Sequence, residues 1–421
     1  MYDYDFKTMR TILLISTLLI ALPLQARDRP VIAVTTGACI EGKAGDYPCR
    51  NVDLLAFVPL SELGTPAPAT VNDVWGWADP ETNREYALLG ASIGIIFVDV
   101  TEPAQPRVIG RLLTRTIDSL WRSVKVYRNH AYVVADRADV HGVQVFDLTQ
   151  LRAAKPFTTF RATAEYFGTG YGLAIGQVVA SAHNVAINEE SGFAYVVGAH
   201  GTCAAGLHMV DIREPARPRF AGCFAADGYT HDVQCVNYRG PDPTYANREI
   251  CLASNEDTVT IVDVTEKRRP KMISRTSYPG AAYTHQGWLT EDQAYFVVND
   301  ELDERNRNHA TRTILFDVRD LDRPLFIGEY FAATKSIDHN LYVHQGLVYE
   351  ANYTSGLRIL DGAEIPAGRL TEVAFFDVDP KDDDPAFRGA WNVYPFFRSG
   401  VVVVSSIHEG LFVLQPTLRR E

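Results

Sequence analysis

No apolar run in this sequence is long enough to cross a bilayer, which takes about 20 residues. The run at 12–22 is too short and contains Ser16 and Thr17, and no later stretch is longer and as apolar. Positive charge is in deficit, with 40 Lys and Arg against 52 Asp and Glu and a net charge of −12. That argues against a nucleic-acid partner, which needs a basic face, and against adhesion to anionic lipid by charge alone. Methionine is scarce at 4 residues, and long Ala/Glu/Lys/Leu stretches are missing, so the composition does not describe a helical protein. None of the six cysteines sits in a C-x-x-C pair, which leaves zinc ribbons and thioredoxin-type redox motifs without support.

What is present is a 421-residue chain, 46% hydrophobic and 11% aromatic, with the apolar content of a folded globule. Val, Ile, Thr, Tyr and Phe are plentiful, which favours strands. Lys7 and Arg10 precede the short apolar run, and Pro23 and Leu24-Gln25-Ala26 follow it. This reads as a secretory signal peptide over 1–26, cut after Ala26, and predicts an extracellular or periplasmic protein with no transmembrane segment in the mature chain. Export makes Cys39, Cys49, Cys203, Cys223, Cys235 and Cys251 disulfide candidates.

One motif recurs: Gly94-Ile-Ile-Phe-Val-Asp99, Gly142-Val-Gln-Val-Phe-Asp147, Gly206-Leu-His-Met-Val-Asp211, Thr258-Val-Thr-Ile-Val-Asp263, Arg312-Thr-Ile-Leu-Phe-Asp317 and Gly356-Leu-Arg-Ile-Leu-Asp361. A last copy, Gly410-Leu-Phe-Val-Leu414, lacks the Asp. Each is a strand opened by a turn residue. Two further strands precede each copy. After four copies comes a proline (Pro106, Pro218, Pro270, Pro324) and then another strand, the proline position of a sheet edge. The unit is four strands, a to d, with a period of about 53 residues, within the range of propeller blades. The expected fold is therefore all-β: a seven-bladed β-propeller of four-stranded antiparallel blades over 71–415. The final unit stops after strand c, so the spare strand at 52–58, within the N-terminal segment 27–70, is expected to complete the last blade. A short tail, 416–421, follows.

These repeats resemble LVIVD repeats, and the chain over roughly 35–415 resembles the choice-of-anchor B family. The resemblance is carried by Asp73-Val-Trp-Gly-Trp77, Tyr229-Thr-His-Asp232, Tyr283-Thr-His-Gln-Gly-Trp288, Asp338-His-Asn-Leu-Tyr342 and Leu357-Arg-Ile-Leu-Asp361. It implies a secreted or surface-held propeller and supplies no reaction. The family's C-terminal anchors have no counterpart after Leu414, so a free exported protein is expected. With strands placed, Cys235 and Cys251 face each other across a hairpin of the fourth unit. Cys203 and Cys223 fall at the same end of the third, and Cys39 and Cys49 remain to close a Gly-rich loop.

Aligned starts of strand a read Asn72, Arg122, His183, His231, His285, His339 and Trp391, followed by Asp73, Ser123, Asn184, Asp232, Gln286, Asn340 and Asn392. Four successive blades thus bring a histidine to one level near the axis. The b–c loops at the same end add His141, His200, His309 and His408, with Asp300, Glu301, Asn352 and Tyr353. One reading is a ligand face of Asn72, Asp73, Arg122, Asp232, Asp300, Asn352, Tyr353 and Trp391, binding a protein or a small polar ligand. A second is a metal site of His183, His231, His285 and His339 for a divalent Zn, Fe or Cu ion, serving an enzyme such as an oxidoreductase. A third is structural: each ring ties its blade to the next.

Other signals carry less. Gly90-Ala-Ser92-Ile-Gly94 matches a nucleophile elbow in letters but lies between two strands, hence a turn. Gly168, Gly170 and Gly172 suggest an insertion between blades. Asp377, Asp379 and 382–384 offer clustered carboxylates for Ca²⁺ or a solvated linker. The charged b–c loop at 299–312 reads as a lid or a solvated excursion. The repeated Asp ending strand c is expected to cap the turn that follows.

Overall fold

In the computed structural model, residues 36–66, 69–168 and 178–418 are described. The expected signal peptide, Gly170, Gly172 and the last three residues of the tail lie outside them.

The β-branched repeat motif forms strands, and the strands form seven antiparallel sheets in chain order. Strand a of each blade is Val71–Ala78, Arg122–Tyr127, Asn184–Asn188, Asp232–Asn237, Thr284–Leu289, Asn340–His344 and Ala390–Tyr394. The recurring motif is strand c throughout, and its Asp acts locally as expected. Asp99, Asp147, Asp211, Asp263, Asp317 and Asp361 each accept a hydrogen bond from the backbone N–H two residues on, at 2.8–3.1 Å. A carboxylate that satisfies the first donor of a turn ends the strand there. Pro106, Pro218, Pro270 and Pro324 each stand directly before an outer strand, where no ladder donor is missed.

A single four-stranded sheet leaves both faces wet. Here the period of two along each strand sends alternate residues to opposite neighbours. In the fourth blade Ile250 and Leu252 pack toward the fifth, while Cys251 and Ala253 pack toward the third. Seven apolar clusters arise in this way, one between each blade and the next, and the cluster joining blades seven and one closes the ring.

The closing strand is Val52–Pro59, antiparallel to Gly410–Pro416. Just before it, Tyr47–Arg50 pairs with the outer strand of blade six, so consecutive pieces of the N-terminal segment clasp the last two blades. The three disulfides join Cys39 to Cys49, Cys203 to Cys223 and Cys235 to Cys251, with Cα atoms 6.0, 5.5 and 4.0 Å apart. Blade two departs from the repeat. After its strand c, the chain first adds Thr158–Phe160 in parallel to the outer strand of blade one, then returns as Ala164–Tyr166 to complete its own blade. No helix among the described residues is long and apolar enough to cross a membrane.

Candidate functional site at the channel mouth

The four aligned histidines converge, and Trp391 joins them. His183, His231, His285 and His339 form an arc with successive ring centroids 4.2, 4.1 and 4.4 Å apart, and Trp391 continues it 4.9 Å beyond His339. Each ring's Nδ1 has a fixed partner. His231 Nδ1 donates to the His285 carbonyl at 2.9 Å, His285 Nδ1 to the His339 carbonyl at 3.0 Å, and His339 Nδ1 to the Trp391 carbonyl at 2.5 Å. His183 turns the other way, placing Nδ1 3.1 Å from Asp136 Oδ2. The interblade tie of the structural reading is therefore present for three rings. It also has a chemical consequence. A carbonyl only accepts, so Nδ1 carries the proton and Nε2 of a neutral ring keeps its lone pair. Burial, reinforced by neighbouring imidazoles, pushes His231 and His285 well below the usual histidine range, and burial takes His339 to about 3. The rings are neutral near pH 7, with bare Nε2 atoms.

Glu301 meets two of these nitrogens. Its carboxylate lies 3.8 Å from His285 Nε2 and 3.5 Å from His339 Nε2, and it accepts the Tyr353 hydroxyl at 2.7 Å. Tyr353 reaches it from a b–c turn in which its own φ is +23°, a conformation rare for a non-glycine residue. Burial raises the Glu301 carboxyl to about 7. One donor atom from each of His285, Glu301 and His339 fits within 4.8 Å of the others. Two neutral imidazoles and one carboxylate suit a divalent transition metal, and a carbonyl on the far nitrogen is the usual device for orienting such a ligand.

The second positions form a polar belt one residue deeper. Ser123 donates to Asn184 at 2.5 Å, Asn184 to Asp232 at 2.7 Å, and Asn392 to Asp73. Asp73 also accepts Lys125 at 3.2 Å. Burial raises Asp232 to about 6. Further along, Trp288 and Trp75 pack 5.0 and 5.7 Å from Tyr342. The channel within the imidazole arc holds only about 30 Å³, room for a water or an ion rather than an organic molecule. Beside it opens a hollow of about 360 Å³ whose lining includes Trp121, Glu301, Tyr353, Phe387, Trp391 and Ile407. Trp121 and Trp391 border both spaces.

Other expected site residues lie elsewhere or are already committed. Arg122 is buried and spends its guanidinium on the carbonyls of Ala91 and Ser92, at 3.0 and 3.1 Å, and on His141 at 3.2 Å. Asn72 donates to the Leu120 carbonyl. Asp300 is saturated by Tyr278, Ala282 and Tyr283. Asn352 is buried and donates to Glu350. Ser92 sits in a b–c turn, as expected. Among the described residues the acids at 377–384 form no three-ligand group; Arg388 pairs with Asp379 and Asp382, and Lys381 with Asp379. The charged loop at 299–312 is solvated only in part: Arg305 to Asn308 are exposed, whereas Asp303 and Glu304 are buried and Glu301 faces the imidazoles.

The chain matches no family model and no curated protein. Among solved structures it is similar to a protein from Lactobacillus plantarum, with a TM-score of 0.51 at 14% identity over 80% of this chain and 88% of that one. It is also similar to the β-propeller domain of Myceliophteria thermophila Cps50 (Swd1), with a TM-score of 0.50 at 12% identity over 79% and 94%. Likeness at this level is a likeness of fold.

Proposed function

We propose that this protein is an exported recognition propeller of the LVIVD-repeat, choice-of-anchor B type. On this reading it binds a small ligand at the channel mouth through a divalent metal held by His285, His339 and Glu301. The ligand has a chelating oxygen or nitrogen head, which meets the ion, and an apolar or aromatic body, which fills the hollow against Tyr353 and Trp391. Three disulfides support an oxidising compartment. The observation that carries the reading is the convergence of two Nε2 atoms and a carboxylate, with both Nδ1 atoms already committed to carbonyls.

Zinc calorimetry on full-length protein without a histidine tag tests it. His285→Ala and His339→Ala are each expected to lose one Zn²⁺ per chain while keeping the wild-type circular dichroism. Unchanged zinc stoichiometry and affinity in both variants would refute the reading. The same donor set favours a second reading, a metal-dependent enzyme such as an oxidoreductase. Three protein ligands leave coordination positions open to a substrate.

A further inference from the structure

The b–c loop of blade five contains a second convergence of acceptors, apart from the channel mouth. Its short helix Asp303–Arg307 places Asp303 and Glu304 in the interior, at 0% and 1% exposure. One donor atom from each of Asp303, Glu304 and His309 lies within 4.8 Å of the others. Asp303 Oδ1, Glu304 Oε2 and His309 Nε2 are all buried, and none has a hydrogen-bond partner. His309 Nδ1 donates to the Ala310 carbonyl at 2.7 Å, so its Nε2 is a third acceptor when the ring is neutral.

Acceptors do not gather away from water unless something positive lies between them. The nearby cation, Arg312, does not fill that role. It touches Asp303 Oδ2 at 3.2 Å and divides its remaining donors between Glu329 and the Pro279 carbonyl. The deficit extends behind the cluster to Asp338, which is fully buried with Oδ1 unpartnered, and to the unpartnered Oδ1 of Asn299, whose amide donates to Asp338 at 2.8 Å. A mixed set of two carboxylates and one imidazole suits zinc or manganese better than calcium, which prefers oxygen alone.

We propose that Asp303, Glu304 and His309 hold a structural divalent ion of the zinc–manganese class, whose charge the two carboxylates cancel. The ion fastens the loop that carries Glu301, two residues upstream, to the channel mouth. The site is distinct from the one at the mouth and stands or falls without it.

Crystals of the untagged full-length chain, soaked separately in Zn²⁺ and Mn²⁺, give the test by anomalous diffraction. The expected result is a peak bonded to Asp303, Glu304 and His309, whether or not another appears between His285 and His339. His309→Ala and Glu304→Gln should each lose the loop peak. Chelation with EDTA should lower the wild-type melting temperature by several degrees, and that of Glu304→Gln by less. Absence of a peak at the cluster with both metals in wild-type crystals would overturn the proposal, leaving acids that share protons. Persistence of the peak in both variants would overturn this ligand set.

Discussion

Each imidazole of the arc has two nitrogens with separate duties. In His231, His285 and His339, Nδ1 is spent on the neighbouring blade and Nε2 is left facing the channel. The structural and metal-binding readings of these residues are therefore compatible. A different side chain, Arg152, shows how a single contact ties adjacent blades. It forks Asp79 of blade one at 2.8 and 2.6 Å from the segment that follows strand c of blade two. Burial alone would raise the Asp79 carboxyl, but hydrogen bonds from Arg152, Thr82 and the Glu81 N–H outweigh it and hold it down at about 2. A carboxyl lowered on folding stabilises the protein above its unfolded pKa, about 3.9, and loses that contribution as pH falls through the folded value. Arg152→Ala is thus expected to lower the urea midpoint at pH 7. The gap to wild type should narrow between pH 4 and pH 2. A gap of constant size would show that Arg152 acts by packing rather than by charge.

At the scale of the element, the closing strand matters most, because it carries one edge of the last blade from the other end of the chain. Leu54 is buried at 1% exposure in the cluster between blades six and seven. Leu54→Ala should cost about 3 kcal/mol, and Cys39→Ser with Cys49→Ser about 2–3 kcal/mol by freeing the loop just before it. Both are read from denaturant midpoints, and a loss under 1 kcal/mol for Leu54→Ala would mean that blade seven does not depend on the latch. Such strands were legible in the sequence because they obey a period. The repeated Gly-to-Asp motif, the edge prolines, the Cys235–Cys251 hairpin and the latch at 52–58 all follow from counting along it. What breaks the period was not legible. The outer strand of blade two, Ala164–Tyr166, is reached only after a detour to blade one. The mouth divides in the same way. The four histidines share a repeat position and could be aligned. Glu301 stands in its loop without a legible role, because nothing periodic says that this loop turns inward. Asp300, one residue earlier, is consumed by local turn hydrogen bonds. Phe387 sits in an irregular acidic stretch, and Trp121 belongs to a connection whose path depends on blades one and two together.

At the scale of the whole molecule, closure is what gives these side chains a common space. Seven sheets, each unable to bury both faces, close a ring whose strand-a ends meet at one rim. Imidazoles about 50 residues apart in sequence come within stacking distance there, and the gap on the Trp391 side becomes the hollow. In the proposed function these two spaces work as one site, an ion in the arc and an organic body beside it. Crystals of untagged protein soaked with Zn²⁺ and benzohydroxamate test that claim most directly. The expected result is zinc bound by His285, His339 and Glu301, the hydroxamate oxygens on the ion and the phenyl ring between Tyr353 and Trp391. Zinc and ring bound only at other places on the molecule, or a mouth empty of both, would contradict it.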